Sequence, residues 1–144
     1  MAKIKFGIQL QTGSINKILK QAYLADYLGF DDVWYPDHLI GGHPSTEWHE
    51  LFVILTLIAS KTKNIKIASG ATDVLRRNPA VLAQGFATLD QYSQGRMIVG
   101  LGAGEKMNFE PFGIYMDEPV KALELGLSEI RTCWESRLQV RPLQ

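Results

Sequence analysis

Two short stretches hold the side chains best suited to chemistry. Asp37 and His38 stand directly after the run DDVWYP at 31–36. An imidazole exchanges protons or donates a hydrogen bond near neutral pH, and an adjacent carboxylate can fix its loop by accepting backbone N–H groups. The competing reading is a turn aspartate beside a solvated histidine. In the second stretch, VGLGAGEKMNFEPFG at 99–113, Gly100, Gly102 and Gly104 precede Glu105. A dinucleotide fingerprint needs its glycines at the first strand-to-helix turn, with a helix starting at once so that its N–H groups meet the pyrophosphate. Here the glycines come late, their spacing is GxGxG, and Pro111 and Gly113 keep the residues after Glu105 from starting a helix. They read as a tight turn that lets backbone approach a flat ligand, with Glu105 carried at its end.

Other chemistries find less support. His38, His43 and His49 are spread through a loop and into a predicted helix without a metal-ligand pattern, and the single cysteine, Cys133, is remote. No metal site is expected. Ser69 lies in no nucleophile elbow. Arg76 and Arg77 precede a predicted helix and could hold an anion, although exposed arginines near turns are common. Trp34, Trp48 and Trp134 read as core or rim aromatics.

The elements that must position these groups alternate short apolar runs with longer amphipathic ones. Strands are predicted at 3–10, 31–36, 65–70 and 96–102. The first helix follows from Ile15, Ile18, Leu19, Ala22 and Ala25 at helical spacing, with Ser14 as N-cap and Gly29 at the C-terminus. The second is predicted over 47–62, after a loop marked by Gly41, Gly42 and Pro44. The third opens at Asn78 with Pro79 in the first helical position and runs through Tyr92. The fourth opens at Asp117 or Glu118 before Pro119 and reaches about Ser136, and the tail RLQVRPLQ could begin another extended segment.

Four βα units fit either a doubly wound sheet or part of a (β/α)₈ barrel. Polar groups stand after every strand: Gln9 and Gln11, Asp37 and His38, Thr72 and Asp73, then Glu105. A barrel collects all strand ends at one face, where its active sites are built. The expected class is therefore α/β, the N-terminal half, four βα units, of a (β/α)₈ TIM-type barrel.

Composition sets the outer bounds. The chain has 144 residues, 46% apolar and 21% charged, which fits one globular domain or a fragment of one over 1–144. Fifteen basic and fifteen acidic side chains cancel, leaving no electrostatic footprint for nucleic acid or anionic membrane. No bilayer-spanning run or signal-peptide pattern is present, so a cytoplasmic location is the expectation.

Together, FDDVWYPDH, GATDVLRRNPAVLAQGFATLDQYSQGR and VGLGAGEKMNFEPFG resemble the bacterial-luciferase-like flavin and deazaflavin oxidoreductases. The likeness is greatest to the branch that uses coenzyme F420, such as methylenetetrahydromethanopterin reductase. It implies a (β/α)₈ barrel holding F420 at the C-terminal ends of its strands, with FMN as the alternative, used by monooxygenase branches. It implies hydride transfer between the deazaflavin and a small carbon substrate, with the protein supplying orientation and a proton relay. By the same resemblance His38 and Glu105 are the catalytic candidates. Asp37, His38, Gly70, Ala71, Thr72, Gly102, Ala103, Gly104 and Glu105 are then the cofactor-binding candidates. A non-prolyl cis peptide is implied at Gly70–Ala71, with Ser69–Gly70 as the other register. The sequence departs from the family pattern twice. Gln9 and Gln11 stand where several relatives have a glutamate, and the tryptophan expected soon after the Asp-His pair is replaced by Gly41 and Gly42, with Trp48 later.

A complete barrel of this kind takes about 250 residues and usually binds phosphate near its seventh and eighth strands. Three readings are open for a chain of this length: a fragment of a full enzyme, a half-barrel that pairs with a second half or a second copy as a homodimer, or a non-catalytic binding module.

Overall fold

A computed structural model describes residues 4–41, 43, 46–115, 117–135 and 142. Four strands, β1 (Gly7–Gln9), β2 (Asp32–Tyr35), β3 (Lys66–Ser69) and β4 (Met97–Ile98), alternate with helices α1 (Ile15–Leu28), α2 (Leu51–Lys61), α3 (Pro79–Ser93) and α4 (Pro119–Glu135). The sheet is wholly parallel in the order β1-β2-β3-β4, with Gly7 opposite Asp32, Asp32 opposite Lys66, and Ile67 opposite Met97. Sequential parallel neighbours joined by helices are the repeating unit of a (β/α) barrel.

The strands are shorter than their apolar runs. Beyond β1, Leu10 N–H still donates to Trp34 O at 2.8 Å. Beyond β4, the Ser69 hydroxyl takes over from the backbone ladder, accepting from Gly100 N–H at 2.8 Å and donating to Gly100 O at 3.0 Å. A bridge between Thr72 and Leu101 then restores strand pairing.

Helix ends obey local chemistry. Gly29 takes the left-handed conformation (φ 79°) that closes α1, whereas Ser14 occupies the N-cap position without a side-chain bond. The Asn78 side chain accepts from Ala80 N–H at 2.9 Å, and Pro79 occupies the first helical position of α3. The second helix begins at Leu51, four residues later than expected, because 47–50 is committed elsewhere. His49 N–H donates to the Tyr35 hydroxyl at 3.2 Å, the His49 ring meets Gly13 O at 2.8 Å, and Glu50 caps the helix through Val53 N–H at 2.9 Å. After β4 the chain makes two short 3₁₀ turns, Lys106–Asn108 and Glu110–Phe112. Gly42, Pro44, Ser136 and most of the tail lie outside the described residues.

The two faces of the sheet differ. Val33, Tyr35 and Ile67 point into a core with Ile18, Ala22, Ile54, Ile58, Leu82 and Phe86 from the helices, all buried. Burying the valine, isoleucine, leucine and phenylalanine side chains among them contributes roughly 1.5–3 kcal/mol each. The other face carries Gly7, Gln9, Asp32, Trp34 and Lys66, and no described element covers it. There Asp32 accepts from the Trp34 indole N–H at 2.5 Å. This is the face that lines the interior when such a sheet closes into a barrel. Trp134 instead packs between helices, its indole N–H donating to Ala83 O at 3.0 Å. No helix among the described residues is long and apolar enough to cross a membrane.

Candidate functional site

Strand pairing fixes the site. Because β2, β3 and β4 are parallel neighbours, the residues after their C-terminal ends emerge side by side: Asp37 and His38, Gly70 to Asp73, and Gly100 to Glu105. They enclose a cavity of about 230 Å³. Asp37, His38, Gly70, Ala71, Thr72, Gly102, Ala103, Gly104 and Glu105 all line it, as do Asp73, Arg76 and Asn108. Gln9 and Gln11 do not line it. They border a separate hollow beside β1, where Gln11 N–H donates to the Gln21 side chain at 2.9 Å.

Beneath the cavity lies a buried charge network. Asp37, with 3% of its side chain exposed, accepts from the Thr72 hydroxyl at 2.6 Å and from Arg77 Nη1 at 2.6 Å. Arg76 Nη2 lies 3.0 Å from the Asp37 carboxylate and donates to the Asp37 backbone oxygen at 2.7 Å. Asp73 holds Arg76 in place, accepting from its Nε at 2.5 Å and from the backbone N–H groups of Leu75 and Arg76. Arg77 also reaches Glu50 at 2.8 Å. Burial works against the Arg77 charge, but Asp37 and Glu50 outweigh it and raise its pKa above the ordinary value. Neither arginine is a surface residue: Arg76 exposes 7% of its side chain and Arg77 20%. Arginines preceding a helix are usually solvated, and only the distant pairing of Asp37 with residues 76 and 77 reveals these as the loop's anchors.

The rim is different. His38 Nδ1 lies 2.9 Å from Asn108 Nδ2 and 3.5 Å from Glu105 Oε2. The His38 side chain is 25% exposed and that of Glu105 55%. Trp48 packs on the His38 ring, centroids 4.4 Å apart. Gly41 makes this possible, because a Cβ there would overlap the Trp48 indole. The tryptophan that stands beside the Asp-His pair is thus one ten residues beyond His38. His43 and His49 are not at this rim, and no cluster of metal-ligating side chains occurs among the described residues.

The floor is almost without side chains. The peptide Gly70–Ala71 is cis, which selects that register over Ser69–Gly70. Gly102 N–H donates to Thr72 O at 2.8 Å, and Thr72 N–H to Gly100 O at 3.0 Å. The three glycines of this turn serve different ends. A Cβ on Gly100 would strike the Ser69 carbonyl, and one on Gly104, which sits at φ 86°, would strike the Phe109 ring. A Cβ on Gly102 would meet only Ala71 Cβ at 3.6 Å and Thr72 O at 4.0 Å, which are ordinary contacts. Protein packing explains two of the glycines. The third leaves floor space open to the cavity.

A wholly parallel βα sheet whose strand ends carry a side-chain-poor floor and a histidine–carboxylate rim has the architecture of part of a (β/α) barrel. The luciferase-like monooxygenase family model matches residues 1–141, and the chain belongs to that family. It is 34% identical over 127 residues to a 5,10-methylenetetrahydromethanopterin reductase of Methanolobus tindarius, covering 88% of this chain and 37% of that protein. Among solved structures it is similar to an F420-dependent secondary alcohol dehydrogenase in complex with an F420-acetone adduct. There the TM-score is 0.88 at 29% identity, over 98% of this chain and 50% of that one. A monooxygenase from Streptomyces bottropensis gives a TM-score of 0.80 at 29% identity over 92% of this chain and 44% of that one. The chain therefore spans half or less of the length of each of these relatives, as four βα units of the luciferase-like barrel would.

Proposed function

We propose that this chain is the coenzyme-cradling half of a deazaflavin (F420)-dependent oxidoreductase that moves hydride between the deazaflavin and a small carbon substrate. The observation that carries this reading is Gly102, a glycine the protein's own packing does not require, in a floor where no residue from 102 to 104 exceeds alanine. Such a floor suits the face of a flat ring. Arg76 Nη1, buried in the cavity wall without a hydrogen-bond partner, suits an acceptor on the ligand. The cavity falls below the roughly 300–1,000 Å³ of complete ligand pockets, which fits one wall of a site rather than the whole.

When bound, the deazaflavin supplies two-electron hydride chemistry. Gly70, Ala71, Thr72, Gly102, Ala103 and Gly104 would form the surface that holds the ring. Asp37, held by Thr72, Arg76 and Arg77, fixes the loop that carries His38. His38 and Glu105 stand at the rim, where a substrate oxygen or a transferred proton would be handled. The uncovered sheet face and the outer edges of β1 and β4 await a second half-barrel, either further sequence or a second copy of this chain. No nucleic-acid or membrane partner is proposed, and the location is cytoplasmic.

The test is a fluorescence titration of the full chain with coenzyme F420 and, separately, with FMN. Saturable binding of F420 is expected, with Gly102→Val weakening it about tenfold or more, equivalent to about 1.4 kcal/mol. Binding of FMN alone would move the chain to the flavin monooxygenase branch. Binding of neither would overturn the coenzyme reading for this chain.

A further inference from the structure

Asn108 was not singled out by any sequence pattern, yet it is the most fully engaged side chain at the rim. It is 3% exposed and lies in the 3₁₀ turn just after the Glu105 loop. Its two amide ends face different partners. One lies 2.7 Å from Leu39 N and 3.1 Å from Ile40 N, and the other lies 2.9 Å from His38 Nδ1 and 3.2 Å from Glu105 Oε2. Backbone N–H groups only donate, so the end facing Leu39 and Ile40 must be the carbonyl oxygen. The end facing His38 and Glu105 is then the NH₂ group, and it only donates.

A neutral imidazole has one protonated and one bare nitrogen. With an amide donor on Nδ1, that nitrogen must be the bare one, so the proton resides on Nε2. Glu105, the other group near Nδ1, would favour the opposite tautomer, but its oxygen stands farther off at 3.5 Å and already accepts from Asn108. The remaining neighbours do not oppose this. Trp48 covers the ring face, and Asp37 directs its carboxylate to Thr72, Arg76 and Arg77. No described residue is hydrogen-bonded to Nε2, and His38 lines the cavity.

We infer that Asn108 is a positioning residue that fixes the His38 tautomer, so that the neutral imidazole offers an Nε2–H donor for an oxygen acceptor on the substrate. Its carbonyl pins the backbone at 39 and 40, and its amide sets the proton on the neighbouring ring. One amide thereby couples the shape of the His38 loop to the protonation pattern of its histidine. The role assigned toward substrate rests on the oxidoreductase reading above, whereas the tautomer itself is a property of this chain alone.

The experiment uses the uniformly ¹⁵N-labelled full chain, with long-range ¹H–¹⁵N spectra of its three histidines recorded about two pH units above the ordinary histidine value of about 6.5. A His38→Gln sample assigns the His38 signals. In the unmodified protein the Nε2–H pattern is expected. Asn108→Asp keeps an oxygen for Leu39 and Ile40 but replaces the donor facing Nδ1 with an acceptor, so the two ring nitrogens should exchange their shift patterns. An Nδ1–H pattern or an even mixture in the unmodified protein overturns the inference whatever the variant does. So does an unchanged pattern in Asn108→Asp. A merely structural asparagine would leave the tautomer unmoved by that substitution, and failure to bind coenzyme would not alter either spectrum.

Discussion

At the N-terminal ends of the strands, Asp26 accepts backbone N–H groups from Lys63, Asn64 and Ile65 at 2.7–3.1 Å. Arg96 beside it donates to Ser93 O, Ile65 O, Ala59 O and the Thr62 hydroxyl. At the C-terminal ends, Asp37, Arg76, Arg77 and Asp73 form an equally dense cluster, but it supports groups that remain open: His38 Nε2, the half-exposed Glu105 and the unpartnered Arg76 Nη1. The first cluster binds its charges mainly to backbone and closes on itself. The second uses backbone as well but also pairs its charges with one another, and it holds up a rim. In a (β/α) barrel the first end belongs to stability and the second to ligand binding, and the two ends of these four units differ in the same sense, one closed and one open.

The largest expected effect comes from removing the centre of the second cluster. Asp37→Ala leaves Arg76 and Arg77 buried without their shared carboxylate, a change of the kind that costs about 3–5 kcal/mol. Urea unfolding should show that loss, with Asp37→Asn intermediate because it keeps an acceptor for the Thr72 hydroxyl. A loss below about 1 kcal/mol, the range of exposed ion pairs, would mean that water satisfies these arginines and that the two ends do not differ.

A smaller effect separates support from function within the rim itself. Gly104→Ala introduces a side chain at φ 86° and against the Phe109 ring, and should cost about 1–3 kcal/mol. Gly102→Ala, with only ordinary contacts waiting for its Cβ, should stay within about 0.5 kcal/mol of the unmodified chain. Unfolding midpoints of the pair measure the difference. Equal losses would remove the ground for assigning Gly102 to the ligand.

The order of strands and helices, and the convergence of Asp37, His38, Thr72 and Glu105, were legible because period and strand-end position are local properties of the sequence. The helix caps at Gly29 and Asn78 were legible for the same reason. Other features depend on pairings across long stretches of chain. Nothing near Arg76 announces a partner 39 residues away, and nothing near Asn108 announces the backbone at 39 and 40. The start of α2 was missed for a related reason. Residues 47–50 have helical spacing, but His49 bonds to Tyr35 and Gly13 and Trp48 packs on His38, and these tertiary contacts override the local preference. The division of the glycines was equally hidden, since only the neighbours of each Cβ position distinguish Gly102 from Gly100 and Gly104.

The smallest effect probes the closed end through pH. Partial burial pushes the Asp26 carboxyl up, but the N–H groups of Lys63, Ile65 and Asn64, with Arg96 nearby, outweigh it and hold its pKa below the ordinary value. A carboxyl lowered on folding contributes stability that is fully present above the unfolded value of about 3.9 and is lost as pH falls through the folded one. Asp26→Asn keeps an oxygen for two of the three N–H groups, faces Lys63 N–H with a donor, and cannot titrate. It should cost about 1 kcal/mol at neutral pH, the scale of one hydrogen bond. Urea midpoints should therefore differ between the two proteins at about pH 7, and the gap should narrow as pH falls below the unfolded value of about 3.9 and on through the folded one. A gap that stays constant with pH would assign Asp26 a role of shape alone, and the closed end would then owe nothing to charge held by backbone.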